Sequence, residues 1–210
     1  LPSNKKILKD KPGELIHHSY YSLNYDEEHE QARWTMHELS REMLKPIVDR
    51  TDDFREDPKV STYSAEPTDY KYSGYDRGHM VPAGNMRFSL KAMSESFYMS
   101  NMSPQHPKLN RYMWRNLEDL VRYWARNYEK VYVVTGPVLE PTLNKINGIV
   151  SVPKSYYKVV YRPAHNGNKE SMIAFLFPNK EVSGKLQDFA VSVDKIEELT
   201  GVDFFVGLDN

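Results

Sequence analysis

Cysteine is absent from the 210 residues, which excludes disulfides, thiolate-bound zinc and a thiol nucleophile. No run of about 18 apolar residues occurs, so no membrane-spanning helix is expected. Neither charge dominates: 28 Lys and Arg face 29 Asp and Glu, a net charge of −1. A protein that coats nucleic acid is strongly basic, and this chain is not. Repeats and low-complexity stretches are missing. There is no Gly-x-Ser-x-Gly elbow for a serine hydrolase and no P-loop for ATP. No His-Glu-x-x-His string supports zinc, so His17-His18 and the His29/His37 pair do not read as a metal site.

What remains is an ordinary folded composition, 40% hydrophobic and 27% charged, with 15 Tyr. The length suits one domain with a sizeable core. The opening Leu1-Pro2-Ser3 is not a natural start, so a removed leader is expected. Charge is unevenly spread. Residues 21–60 hold eleven acids against six bases, whereas residues 71–91 and 101–130 are each net +3. A local basic patch on a neutral protein suits transient phosphate binding.

Residues 1–30 lack clear periodicity and read as an amino-terminal arm, with a single domain over 31–210. Ala32–His37 reads as a short extended stretch, Ser40–Leu44 as a helical turn, and 49–70, rich in Asp, Glu, Pro, Ser and Thr, as a long loop. Ser89 caps a short helix over Leu90–Tyr98. The clearest helix is 111–128, where Met113, Trp114, Leu117, Leu120, Val121, Trp124 and Tyr128 recur every three or four residues. Arg111, Arg115, Glu118, Arg122 and Arg126 form a second stripe, which by itself reads as a solvated face of ion pairs. Strands follow at Val131–Thr135, Ile149–Val152, Tyr156–Tyr161, Ser171–Phe177 and Phe189–Val193, with an Asn166-Gly167 turn signal. Asp194 with Glu197 opens a last helix that Gly201 ends, before a short strand at Phe204–Val206. This order predicts an α+β fold with a mainly antiparallel central sheet flanked by helices.

The chemistry concentrates in Tyr75-Asp76-Arg77-Gly78-His79-Met80. An imidazole accepts a proton from water near neutral pH. A guanidinium fork grips phosphate oxygens, and a glycine allows a sharp bend or close approach. A second string follows about 30 residues on: Asn101-Met102-Ser103-Pro104-Gln105, then Asn110 and Glu118. His79 reads as a general base, and Arg77 as a phosphate clamp or, less favoured, a bracket orienting the loop. Asp76, Gly78, Asn101 and Gln105 read as structural support, Pro104 as fixing the approach to the helix, and His106 as surface.

Together the two strings resemble the DNA/RNA non-specific endonuclease family, the ββα-metal nucleases with a DRGH signature, endonuclease G-like. The resemblance covers roughly residues 30–208, with Met80-Val81-Pro82 a mild departure from it. It implies a ββα-metal site and a sugar-non-specific, Mg²⁺-dependent endonuclease, with Mn²⁺ a substitute. The products would be 5′-phosphate and 3′-hydroxyl ends of DNA and RNA. It implies Asn110 as the direct metal ligand and Arg50, just before Phe54-Arg55-Glu56-Asp57, as a phosphate contact. Eight helical residues advance about 12 Å and rotate to about 80°, so Asn110 and Glu118 cannot both ligate one ion on a straight helix. Either Asn110 lies in a bend or Glu118 acts through water, and the resemblance implies the latter. Arg122 either touches substrate or holds Glu118.

An inactive nucleic-acid-binding module of the same fold and a phosphodiesterase acting on small nucleotides stay open as alternatives. Because an unrestrained nuclease endangers a chromosome, export to a secreted or periplasmic location, an organelle or an inhibitor protein is expected. A homodimer is a further partner to consider beside the DNA and RNA substrates.

Overall fold

The computed structural model describes residues 2–4 and 13–205. In chain order the elements begin with β1 (Ser3–Asn4), β2 (Glu14–His17), β3 (Ser22–Asp26) and β4 (Gln31–Ser40). After a long irregular stretch come β5 (Asp76–His79), α1 (Leu90–Glu95) and β6 (Met102–Gln105). A π-helical turn (Leu109–Trp114) runs directly into α2 (Arg115–Tyr128). The rest is β7 (Lys130–Pro137), β8 (Lys145–Ile146), β9 (Val150–Ser151), β10 (Ser155–Arg162), β11 (Ser171–Pro178), β12 (Ala190–Val191), α3 (Val193–Thr200) and β13 (Val202–Asp203).

Seven strands form one antiparallel sheet in the order β12-β11-β10-β7-β4-β3-β2. Alternation along the three central strands sends side chains to two different cores. One face, with Trp34, Val134, Tyr157, Val159 and Ala174, packs under Ile196 of α3. The other carries Leu39, Val131, Val133 and Val160 against Val121 and Ala125 of α2. Farther along that face, Tyr156, Phe175 and Phe177 meet Trp114 and Leu117. Each such large apolar side chain contributes about 1.5–3 kcal/mol when fully buried. The apolar stripe of α2 thus becomes its sheet-facing side, and the sheet fixes where the helix lies.

Residues 14–26, assigned above to an arm, instead supply β2 and β3 of the main sheet. The apolar alternation there is too short to stand out: in β2 only Ile16 is buried, while Leu15 is 47% exposed. Tertiary hydrogen bonds to the 49–70 loop and to α1 hold this segment. His18 Nε2 bonds Asp57 at 2.8 Å, and the Tyr21 hydroxyl donates to the Glu95 carbonyl at 2.9 Å.

Other differences are local. α3 is capped by Ser192, whose hydroxyl accepts from the Lys195 amide, so Asp194 lies in the first turn. Glu197 accepts from the Phe204 amide rather than closing a capping box. Gly201 ends the helix in the left-handed conformation, φ 67°. The last strand is Val202–Asp203, paired with Ser3–Asn4, and Val206 lies outside the described residues.

Candidate active site

β5 and β6 pair in a two-stranded ribbon, with Asp76 opposite Gln105 and His79 opposite Met102. The helix beginning at the π-turn follows at once, so the two sequence strings assemble a ββα unit. Gly78 is required by the close approach of the ribbon: an added Cβ would lie 2.6 Å from Gln105 Cβ. Gln105 is fully buried yet its amide forms no hydrogen bond, so it supports the ribbon by packing alone. Asn101 does so by hydrogen bonding. Its Oδ1 accepts from the Val81 amide at 2.9 Å, while its Nδ2 donates to the carbonyls of Val81 at 3.0 Å and Ser96 at 2.9 Å. Pro104 enters β6, where its carbonyl accepts from the Tyr156 hydroxyl and from Asn179. His106 follows, its backbone carbonyl accepting from the Asn110 amide.

His79 is 8% exposed, against Phe97 at 5.0 Å and Phe54 at 5.8 Å between ring centres. Its Nε2 is buried and has no hydrogen-bond partner. Burial, reinforced by the charges of Arg50 and Arg77, lowers the imidazole to about 3, so it is neutral at physiological pH. Arg77 lies over the Phe54 ring at 4.0 Å, and Arg50 lies 4.8 Å from the centre of the Phe97 ring. Two guanidiniums therefore stand on the same aromatic pair that cradles the imidazole.

Arg50 is also held by Asp52 at 2.6 Å. The surrounding loop is well anchored. Arg55 bonds Asp53 and Ser94 and lies on the Tyr98 ring, and buried Asp57 accepts from His18 and from the Ser100 hydroxyl. The acid-rich segment that places Arg50 is thus fastened from both sides.

Asp76 joins the ribbon to the helix. It takes a bidentate contact from Arg111, at 2.8 and 2.6 Å, and accepts from Asn110 Nδ2 at 2.9 Å. Burial alone would raise its carboxyl, but the hydrogen bonds from Arg111 and Asn110 prevail and hold it below the usual range. The Asp76 bond orients Asn110 and leaves its Oδ1 without a hydrogen bond among the described residues. Asn110 lies within the π-helical turn, neither in a bend before the helix nor at its cap. Such wide turns recur at functional sites. The turn also breaks the straight-helix geometry between Asn110 and Glu118.

Glu118 does not join the predicted face of ion pairs. Among the described residues it has no ion pair; it is half-buried, within reach of the charge of Lys158 on the sheet. Burial raises its carboxyl, opposed by the charges of Lys158, Arg122 and Arg50. Arg122 is held on both sides, donating to Asn85 Oδ1 at 2.9 Å and Asp119 Oδ1 at 2.7 Å. Asn85 in turn bonds the buried His37 ring at 3.1 Å.

Lys158 carries no assignment from the sequence. It is 1% exposed on β10, donates to Thr135 Oγ1 at 2.6 Å and lies 4.7 Å from the Trp114 ring centre. Burial lowers its ammonium, and Glu118 counters that effect. A lysine inside the apolar run Tyr156–Tyr161 was the available signal.

Comparison with known proteins agrees with this architecture. The DNA/RNA non-specific endonuclease family matches residues 4–210, and the chain belongs to that family. Nuclease C1 of Cunninghamella echinulata var. echinulata is 36% identical over 99% of this chain and 90% of its own length. Human mitochondrial endonuclease G is 39% identical, covering 88% of this chain and 67% of its own, and the mouse mitochondrial nuclease EXOG is 35% identical, covering 93% and 58%. EndoG, solved in a complex with EndoGI that explains EndoG inhibition, superposes with a TM-score of 0.84 at 32% identity, over 94% of this chain and 89% of that one. The chain is thus an endonuclease-family member with an EndoG-like α+β fold.

Proposed function

We propose that this chain is a sugar-non-specific, metal-dependent endonuclease hydrolysing DNA and RNA to 5′-phosphate and 3′-hydroxyl ends. The observation that carries the reading is the His79 Nε2, buried and without a partner on a neutral ring that feels the charges of Arg50 and Arg77. Such a group is an unused acceptor placed where an anionic phosphate would be drawn. Arg50 and Arg77 bind phosphate oxygens and orient the ester. His79 takes the proton of the attacking water, a role typically worth about 10²–10⁴ in rate. Contacts confined to phosphates carry no sequence information, which accounts for weak base preference.

The residues present fit a hard divalent cation such as Mg²⁺, with Mn²⁺ a substitute. No group of three His, Cys, Asp or Glu among the described residues could hold a metal. One neutral amide oxygen, the unpaired Oδ1 of Asn110, is however what an ion that keeps most of its waters requires. Asn110 would hold it directly and Glu118 through water. When bound, the ion supplies positive charge to the phosphate and to the leaving 3′-oxygen. Arg122 acts as a bracket that faces Glu118, since both its donor ends are occupied.

The partners proposed are nucleic acids and, by analogy with the EndoG complex, an inhibitor protein. Separation from the chromosome, by export or within an organelle, is proposed on the hazard argument alone. No helix among the described residues is long and apolar enough to cross a membrane.

The test is nicking of supercoiled plasmid with Mg²⁺, beside EDTA and the His79→Ala variant. Nicking that requires both the ion and His79 supports the reading. A folded wild type that nicks nothing with Mg²⁺ or Mn²⁺ refutes it.

A further inference from the structure

Tyr72 is 93% exposed, the most exposed of the large hydrophobic side chains in the described structure. Its backbone is left-handed, φ 60°, a conformation that bulky residues rarely adopt without a reason. The turn beneath it is firmly closed. Ser73 donates through both its amide and its hydroxyl to the Tyr70 carbonyl, and Asn147 Nδ2 donates to the carbonyls of Asp69 and Lys71. The Lys71 ammonium sits 5.1 Å from the Tyr72 ring centre. An aromatic ring is thus held out in solvent on a rigid turn with a cation beside it.

This turn borders the candidate active site. Lys71, Tyr75, Asp76 and Arg77 line one cavity of about 370 Å³. Tyr75 also lines a second cavity, of about 640 Å³, which holds Lys145 and Lys154. The two meet at Tyr75, one residue before the catalytic ribbon. Lys71 and Arg77 flank the first and Lys145 and Lys154 the second, Lys154 being paired with Glu140, while Tyr72 stands on the turn outside both linings. Cations that track a backbone beside rings that accept bases are the physical elements of single-strand recognition.

We propose that the Tyr70–Ser73 turn is a subsite for single-stranded nucleic acid, with a nucleobase stacked on Tyr72 and a neighbouring phosphate on Lys71. This deepens the nuclease reading and rests on it. A base in a duplex is already stacked on its neighbours and cannot reach the ring, so the subsite favours single-stranded substrate. Asp76 is occupied by Arg111 and Asn110 and does not repel the strand as a free carboxylate would.

The experiment compares KM and kcat for a single-stranded oligonucleotide and for the same sequence as duplex, with Mg²⁺. For Tyr72→Ala the single-strand KM is expected to rise about 5- to 150-fold, the range of one base–aromatic stack. The single-strand kcat and the duplex KM should stay within about twofold. Tyr72→Phe should behave as wild type. Tyr72→Asn, whose side chain tolerates the left-handed backbone, should fold at least as well as wild type and still reproduce the KM loss. An unchanged single-strand KM in the folded Tyr72→Asn variant, or an equal rise on duplex, overturns the subsite. A wild type that cleaves neither substrate overturns the nuclease reading and the subsite with it, a failure visible before any variant is made.

Discussion

Truncating Asn101 to Ala should loosen the active site from behind without touching it. The side chain is completely buried and makes three hydrogen bonds, two of them to Val81, which lies two residues beyond His79. Ala strands the Val81 amide, at about 1–3 kcal/mol for a buried unsatisfied donor, and removes two carbonyl partners at about 0.5–1.5 kcal/mol each. The expected loss is about 2–6 kcal/mol. Folded domains have about 5–15 kcal/mol in hand, so a domain in the middle of that range still folds at room temperature. At about 2–4 °C per kcal/mol for a chain of this size, its Tm falls by roughly 4–24 °C. The freed turn also lets His79 drift, and a displacement of about 1 Å can cost on the order of 10² in rate. Urea unfolding and plasmid nicking well below the transition measure the two effects. Asn127→Ala, which removes an exposed amide bonded only to the Tyr123 carbonyl, is the control and should stay within about 0.5 kcal/mol. If Asn101→Ala unfolds within about 1 kcal/mol of wild type and keeps its kcat, Asn101 does not brace the ribbon.

Gly78→Ala should cost about 1–3 kcal/mol, because the new Cβ meets Gln105 Cβ, which cannot move unless the ribbon opens; if steric contact is the cause, adding Gln105→Gly restores nicking, and if nicking stays lost the contact is not the reason. His37 and His79 are both lowered to about 3, chiefly by burial. Between about pH 6.5 and 3 the unfolded chain therefore binds protons that the folded chain refuses, and stability falls as pH drops, by up to about 1.4 kcal/mol per unit for each histidine. Equal unfolding free energies at pH 7 and pH 5 would contradict this. Lys158→Met should destabilise by up to about 3–5 kcal/mol, since it removes one partner of a buried charge pair and leaves Glu118 without its balancing charge. Its effect should appear in the pH profile of kcat/KM: without the ammonium, burial raises the Glu118 carboxyl further and the active range moves to higher pH. A profile superimposable on wild type would separate Lys158 from the site.

Much of the scaffold could be read from side-chain periodicity. The apolar stripe of α2 spans several turns, and β7, β10 and β11 are long β-branched or aromatic runs, so their patterns exceed chance. β2 and β3 could not be read because each is four or five residues long and its burial depends on the 49–70 loop, a contact distant in sequence. Within the site, Asp76, Arg77, His79 and Asn110 are brought together because the ribbon and helix are nearly contiguous. The arginine stripe was read as solvated because sequence shows which residues share a face but not which neighbour covers it. Arg111 turns to Asp76 and Arg122 to Asn85, both contributed by other segments. Glu118 is left facing the sheet.

What Glu118 faces is the last link between fold and chemistry. On the α2 side of the sheet the apolar pattern of Leu39, Val131, Val133 and Val160 gives way to Thr35, His37, Thr135 and Lys158. These are register neighbours: Thr35 is opposite Thr135, which is opposite Lys158. An all-apolar layer here would be easier to bury, since an unpaired buried charge is costly. Each polar group instead has a partner tied to the site. Lys158 bonds Thr135 and balances Glu118, while His37 bonds Asn85, which fixes Arg122. The sheet therefore sets both the position and the charge of the helix face that completes the ββα unit. A substitution that restores hydrophobic alternation at Lys158 alone should accordingly be felt by both the fold and the reaction, because it leaves Glu118 unbalanced.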